Sequence, residues 1–277
     1  MPTQRANGID IYYETAGQGE PLLLLHGLGS RSDDWQLQLP PFAAHYRVVA
    51  ADMRGHGRTS KPPGPTSVPM MADDVLGLLD ALGIDAAHVV GLSMGGMIAF
   101  QMAVNRPERV RSLVIVNSAP ALVAHTWGER LRIWQRLALA RLFKPARTAH
   151  FLGPRLFPKP EQAELREVFI AQWAQNDPQA YRAAMRALVG WSVLDRVAAI
   201  RCPTLVISGD RDYTPAAAKE EYTALIPNAR LVIMEDSGHA TPIDQAERFN
   251  ACVLEFLAGQ DSVYPISVGQ DDSCQTH

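Results

Sequence analysis

Short, unbroken apolar runs recur along this chain, and each stops abruptly at glycine or a polar residue. They are Pro21 to Leu25, Arg47 to Ala51, His88 to Val90, Ser112 to Val116, Thr204 to Ser208 and Arg230 to Met234. Runs this short, β-branched and without polar alternation are what strands buried on both faces look like. Ile9 to Tyr13 alternates weakly and reads as an edge strand, with Gly17 and Gly19 marking the turn after it. Helical segments lie between the strands. Val75, Leu78, Leu79 and Leu82 share one face behind Asp73 and Asp74, which are expected near that helix's N-terminus. Met94 to Val104 is almost wholly apolar, as for a helix beneath a covering layer, and Ala216 to Leu225 and Gln245 to Leu257 complete the set. Alternating strand and helix implies an α/β fold, with a mostly parallel sheet and helices on both faces.

One stretch breaks this rhythm. From 119 to 197 there is no strand signal, only helical segments punctuated by Pro145, Pro154, Pro158, Pro160 and Pro178, and four of the five tryptophans lie here (Trp127, Trp134, Trp173 and Trp191). It reads as a helical cap inserted into a core formed by residues 1–118 and 198–258. The tryptophans suit either a hydrophobic acyl or aryl pocket or simple packing. The tail, 259–277, has few large apolar side chains and is expected to be disordered.

Composition excludes several classes. With 47% hydrophobic and 20% charged residues the chain is globular, and a net charge of −3 with scattered arginines offers no field for nucleic acid or an anionic membrane. The apolar region Val89 to Val104 is broken by Gly91, Ser93, Gly95, Gly96 and Gln101, and falls short of a membrane span. Cys202, Cys252 and Cys274 are far apart and suggest neither a disulfide framework nor a metal site. Residues 1–14 lack a basic segment followed by an apolar one, so the expected location is cytoplasmic. No sequence signal bears on oligomeric state.

The strongest chemical signal is Gly91-Leu92-Ser93-Met94-Gly95-Gly96, where the chain leaves a buried strand and enters a helix. A serine on such a sharp turn lifts its hydroxyl clear of the sheet, and the residues flanking it two positions away must be small. Ser93 is thus the candidate nucleophile, and a serine nucleophile needs a base. His239, in Ser237-Gly238-His239, follows the last strand at the same sheet edge. The histidine in turn needs a carboxylate to hold its tautomer. Asp210 and Asp212 both follow the strand Thr204 to Ser208; Asp212, standing before a proline-initiated helix, is preferred and Asp210 is the alternative. The backbone N–H groups of Leu28, in His26-Gly27-Leu28-Gly29, and of Met94 are the candidate oxyanion donors. His26 is read as a tie between loops. Asp52 to Ser60 reads as a rigid loop shaping the floor of the site, with a pocket role for Arg54 or His56 the competing reading.

These motifs, in this order between Asn7 and Leu257, resemble the α/β-hydrolase superfamily, in its compact branch with a helical cap after the sixth strand. The resemblance implies an eight-stranded, mostly parallel sheet, a Ser–His–Asp triad in the chain order Ser93, Asp212, His239, and no cofactor or metal. Haloalkane dehalogenases and epoxide hydrolases of this fold carry Asp at the nucleophile position, so Ser93 argues against both. The elbow is similar to that of 3-oxoadipate enol-lactonases and less similar to the Gly-Phe-Ser-Met-Gly-Gly of haloperoxidase-like perhydrolases. The expected function is hydrolysis of a small-molecule carboxylic ester or lactone, without nucleic-acid or membrane partners. The alternatives are carbon–carbon bond hydrolysis, perhydrolysis or a slow-turnover ligand receptor.

Overall fold

A computed structural model describes residues 2–124 and 126–261. Eight strands form one sheet: β1 Thr3–Ala6, β2 Ile9–Ala16, β3 Pro21–Leu25, β4 Arg47–Ala51, β5 Ala87–Leu92, β6 Val110–Val116, β7 Thr204–Gly209 and β8 Ala229–Met234. Their order is β1-β2-β4-β3-β5-β6-β7-β8. β2 pairs antiparallel with β1 and β4, and every other pairing is parallel. The helices are α1 Leu39–Ala43, α2 Val68–Ala81, α3 Met94–Asn105, α4 Trp127–Leu142, α5 Pro145–Leu156, α6 Ala163–Trp173, α7 Pro178–Leu188, α8 Ala216–Thr223, α9 Thr241–Asp244 and α10 Ala246–Asp261.

The period-2 geometry of a strand sends successive residues to opposite faces, and the core divides accordingly. Leu23 and Leu25 join α2 and α3 on one side; Leu22 and Leu24 join Phe42, Phe249, Val253 and Leu257 on the other. All four leucines of β3 are fully buried, each contributing roughly 2 kcal/mol of burial. This two-sided burial is why β3 to β7 read as unbroken apolar runs; β8, expected to be buried on both faces, is instead an outer strand, with Met234 its one buried residue. Because β3 to β8 run parallel, the loops at their C-terminal ends share one edge of the sheet, the usual place for a site in an open α/β sheet.

Three further expectations are corrected. Ile9–Tyr13 is not the edge: it belongs to β2, and the outer strand is β1, whose short and mostly exposed sequence carries little apolar signal. Asp73 and Asp74 are not near the start of α2, which begins at Val68 with the Ser67 side chain accepting the Met70 N–H at 3.2 Å and Pro69 in the first turn. Asp74 is instead buried mid-helix, paired with Arg54. At the other end, α10 continues through Gly259 to Asp261, so the expected disordered tail does not begin at 259; residues 262–277 lie outside the described residues.

Between β6 and β7 the described residues form α4 to α7 with a small apolar cluster of their own, Ala140, Ala149, Ile170, Trp173 and Tyr181, against which Leu28 packs. Of the four tryptophans here, Trp173 and Trp191 are buried, whereas Trp127 and Trp134 face outward. Trp191 packs into the main core and donates its indole N–H to Gln101 at 2.8 Å. No helix among the described residues is long and apolar enough to cross a membrane.

Candidate active site

Ser93 sits between β5 and α3 with φ +53° and ψ −113°, a conformation that L residues rarely adopt. The fold holds it there from several sides. Ser93 N–H donates to Val116 O at 2.9 Å, and Ser93 O accepts from Met97 N–H at 3.1 Å and Ser118 Oγ at 2.6 Å. The turn is closed tightly enough that a Cβ on Gly91 would fall on the Gly95 backbone, and one on Gly95 on the Leu25 carbonyl. This is the physical reason for the two flanking glycines. α3 starts at Met94, where first-turn N–H groups lack intrahelical partners.

The loop after β3 lies against this turn: a Cβ on Gly27 would stand 3.6 Å from Ser93 Cβ. Trp173 occupies the space beside Gly29, and Asn176 Nδ2 donates to Gly29 O at 2.7 Å, tying the loop around Leu28 to the helical insertion. His26 ties the loops after β3 and β4 together. Its Nδ1–H donates to Gly27 O at 2.7 Å, and Nε2 accepts the Met53 N–H at 2.9 Å.

At the next strand end, Asp52 is a buried staple. Its carboxylate accepts the Ser32 and Arg58 N–H groups, both at 2.7 Å. Burial alone would raise this carboxyl, but His26 and those N–H donors outweigh it and hold it below the ordinary range. Arg54 grips the buried Asp74 (2.5 and 2.6 Å), and His56 is fully buried with Nδ1–H on Arg54 O at 3.0 Å. The loop is therefore held by its own contacts, with Arg54 committed to Asp74 and His56 to the Arg54 carbonyl.

Burial, with His26 beside it, lowers the pKa of His56 to about 3. The unfolded chain, with His56 near 6.5, binds the proton first, so stability is full above 6.5 and falls as pH drops from there towards 3. Between pH 7 and pH 5 this group alone should remove about 2 kcal/mol. Denaturant melts at the two pH values check this, and His56→Asn should flatten the dependence.

On the far side of Ser93, His239 Nδ1–H donates to Asp212 Oδ1 at 2.8 Å. Asp212 is wholly buried, and its Oδ2 accepts from Thr214 Oγ1 and, at 2.6 Å, from Lys219 Nζ. Burial would raise the Asp212 carboxyl, but the His239 and Lys219 contacts prevail and bring it down to about 2. Asp210 does not meet His239; it accepts the Ser237 N–H at 2.9 Å. Of the two acids, Asp212 is the one hydrogen-bonded to His239.

Two further residues carry no signal in the sequence motifs. Asn117, after β6, has φ +45°; its Nδ2 donates to His239 O (2.9 Å) and Thr241 Oγ1 (2.8 Å), while Oδ1 accepts the Gly209 N–H at 2.9 Å. It clamps the Asp212 and His239 loops together. An asparagine directly after a buried strand, where left-handed backbone is tolerated, was the available hint. Tyr213 lies over His239 with ring centroids 4.1 Å apart and its hydroxyl 2.7 Å from Nε2. The phenol therefore occupies the Nε2 face of His239. Arg136, from α4, stands 5.5 Å above the Tyr213 ring. A cavity of about 200 Å³ beside Gly29, Phe169 and Trp173 is lined by neither Ser93 nor His239. Among the described residues no cluster of side chains is arranged to hold a metal.

The α/β hydrolase fold family matches residues 20–151. A 2-hydroxymuconate semialdehyde hydrolase of Pseudomonas putida is 33% identical over 258 residues, covering 90% of this chain and 90% of that protein. This chain belongs to the α/β-hydrolase family. 3-Oxoadipate enol-lactonase 2 of Acinetobacter baylyi is 30% identical over 255 residues, covering 91% and 94% of the two chains. Among solved structures, the enol-lactonase from Burkholderia xenovorans LB400 superposes with a TM-score of 0.86 at 27% identity, over 93% of this chain and 100% of that one. These family members are hydrolases, and the eight-stranded sheet is the one the resemblance implied.

Proposed function

We propose that this α/β-hydrolase is a serine hydrolase that cleaves small to medium carboxylic esters or lactones through an acyl-enzyme on Ser93. The observation that carries the reading is the strained Ser93 turn at the same sheet edge as a hydrogen-bonded Asp212–His239 pair. The similarity to enol-lactonases supports a lactone or ester carbonyl as the electrophile.

In this reading His239 Nε2 removes the Ser93 proton as Oγ attacks the carbonyl carbon. The Leu28 and Met94 N–H groups receive the oxyanion, each donor being worth about 3 kcal/mol. Asp212 keeps the proton of His239 on Nδ1, leaving Nε2 free to act as base, and stabilises the imidazolium that forms. The imidazolium then protonates the departing alcohol. Water, deprotonated by the same nitrogen, attacks the acyl-enzyme, and the imidazolium gives that proton to the departing Ser93 Oγ. In a lactone the alcohol stays tethered to the acyl group until that second step. The 119–197 insertion acts as a cap over this site, consistent with Trp173 and Asn176 holding the loop at Leu28.

Direct transfer from Ser93 to Nε2 requires the Tyr213 hydroxyl to withdraw. Tyr213 as a residue is 53% exposed although its hydroxyl points inward, where burial raises its pKa, so the side chain has a route to swing out without opening a hole in the core. Tyr213→Phe is accordingly expected to keep kcat/KM within several-fold of wild type. A loss of orders of magnitude would make the phenol an obligatory proton relay.

Steady-state hydrolysis of p-nitrophenyl esters from acetate to palmitate tests the function itself. Rates should peak at short or medium acyl chains. Rates that rise steadily to palmitate, or are absent at every length, would contradict the proposed substrate class.

A further inference from the structure

Lys219, on α8, is an unusual residue to find fully buried: its side chain is 1% exposed and that of its partner Asp212 is 0%. Its Nζ lies 2.6 Å from Asp212 Oδ2, 2.9 Å from Ser208 Oγ and 3.0 Å from Thr214 O, which uses all three ammonium protons. Taking an ammonium out of water costs several kcal/mol, and a well-packed apolar side chain is often at least as stabilising as a buried ion pair. Stability alone therefore gives little reason to bury a lysine here. Its position suggests another. Asp212 is shared between two cation-forming groups, with Oδ1 on His239 and Oδ2 on Lys219.

The remaining groups around the pair carry no charge in direct contact with the carboxylate. Thr214 Oγ1 donates to Oδ2. The Tyr222 phenol, on α8, is pushed up by burial and by Asp212, and so stays neutral. The Tyr213 phenol, on Nε2 of His239, is likewise pushed up, by burial first, with Arg136 of α4 beyond it pulling the other way. Ser208 is neutral. Among the described residues, Lys219 is thus the one permanent charge in contact with Asp212.

We propose that Lys219 is a positioning residue for the Asp212–His239 pair: from the far oxygen of the carboxylate it fixes Oδ1 towards Nδ1 and offsets the charge that faces the imidazole. The inference rests on the serine-hydrolase reading. The sign of the effect on His239 follows from electrostatics. A carboxylate facing an imidazole favours the imidazolium, and a cation on the carboxylate's other oxygen reduces that preference. Removing the cation should therefore move the acid limb of kcat/KM to higher pH.

The test is kcat/KM for p-nitrophenyl acetate against pH in wild type, Lys219→Gln, Lys219→Met and Lys219→Arg, with the rate of fluorophosphonate labelling of Ser93 followed in parallel. Gln keeps a donor for Asp212 without the charge, and Met keeps the length without either. Both neutral variants should move the acid limb upward by about one pH unit. Below the limb this appears as about a tenfold loss beyond any change at the plateau. Arg should leave the limb at the wild-type position even where the plateau falls. A folded neutral variant with a lowered plateau and an unmoved limb would reduce Lys219 to a structural prop and overturn the proposal. If neither neutral variant folds, a displaced limb in Lys219→Arg overturns it. Wild-type protein that neither hydrolyses the ester nor takes up the fluorophosphonate would instead overturn the serine-hydrolase reading itself.

Discussion

Ser93→Ala is expected to lower kcat for a short p-nitrophenyl ester by about six orders of magnitude, the scale seen when a triad nucleophile is removed. No neighbouring hydroxyl is placed to substitute. Ser118 Oγ is committed to Ser93 O at 2.6 Å, and the Tyr213 phenol is held neutral by burial. A weak residual rate, attributable to binding and the oxyanion donors, should survive. The fold should survive too. Ala and Ser meet the same steric conflict at φ +53°, and the backbone bonds to Val116 and Met97 do not involve the side chain. A wild-type melting curve beside the kinetic loss would separate chemistry from unfolding.

Asp212→Asn is expected to cost about four orders of magnitude in kcat, because an amide no longer selects the tautomer that leaves Nε2 as acceptor. Asp210→Asn should stay within several-fold, since its oxygen faces the Ser237 N–H and an amide oxygen still accepts there. The same comparison has a second readout. Asp212→Asn leaves the Lys219 ammonium buried without its counter-charge, which should cost about 3 kcal/mol of stability. Asp210 is paired with no buried cation, and its variant should melt near wild type. Loss of activity in Asp210→Asn with Asp212→Asn unaffected would overturn the assignment of the acid.

The central strands and the Ser93 turn were legible because each leaves a local mark. Two-sided burial produces unbroken apolar runs, and steric closure around Ser93 requires Gly91 and Gly95. β1 leaves no such mark, since its four residues are mostly exposed and gain their pairing from β2. The start of α2 was signalled by Ser67 and Pro69, but the acidic pair at 73 and 74 resembled a first turn more strongly. Asp74 is there instead as the partner of Arg54, a contact between residues twenty apart that no periodicity encodes.

The site divides in the same way. Ser93 and His239 follow from their motifs, whereas the choice between Asp210 and Asp212 depends on side-chain direction. That direction is set by Ser237 N–H on one acid and by Lys219 and Thr214 on the other. Asn117, Tyr213 and Lys219 act through contacts that form only once the strand ends are assembled. Lys219 left one trace, a lysine after three alanines at the start of α8, seven residues after Asp212.

The account stands on Ser93 as the covalent nucleophile, and mapping the site of fluorophosphonate modification tests that most directly. The predicted result is one phosphonyl group per chain, on the peptide containing Ser93, formed by wild type and absent from Ser93→Ala. Ester hydrolysis by a wild-type protein that takes up no label, or carries it on any residue other than Ser93, would contradict the account.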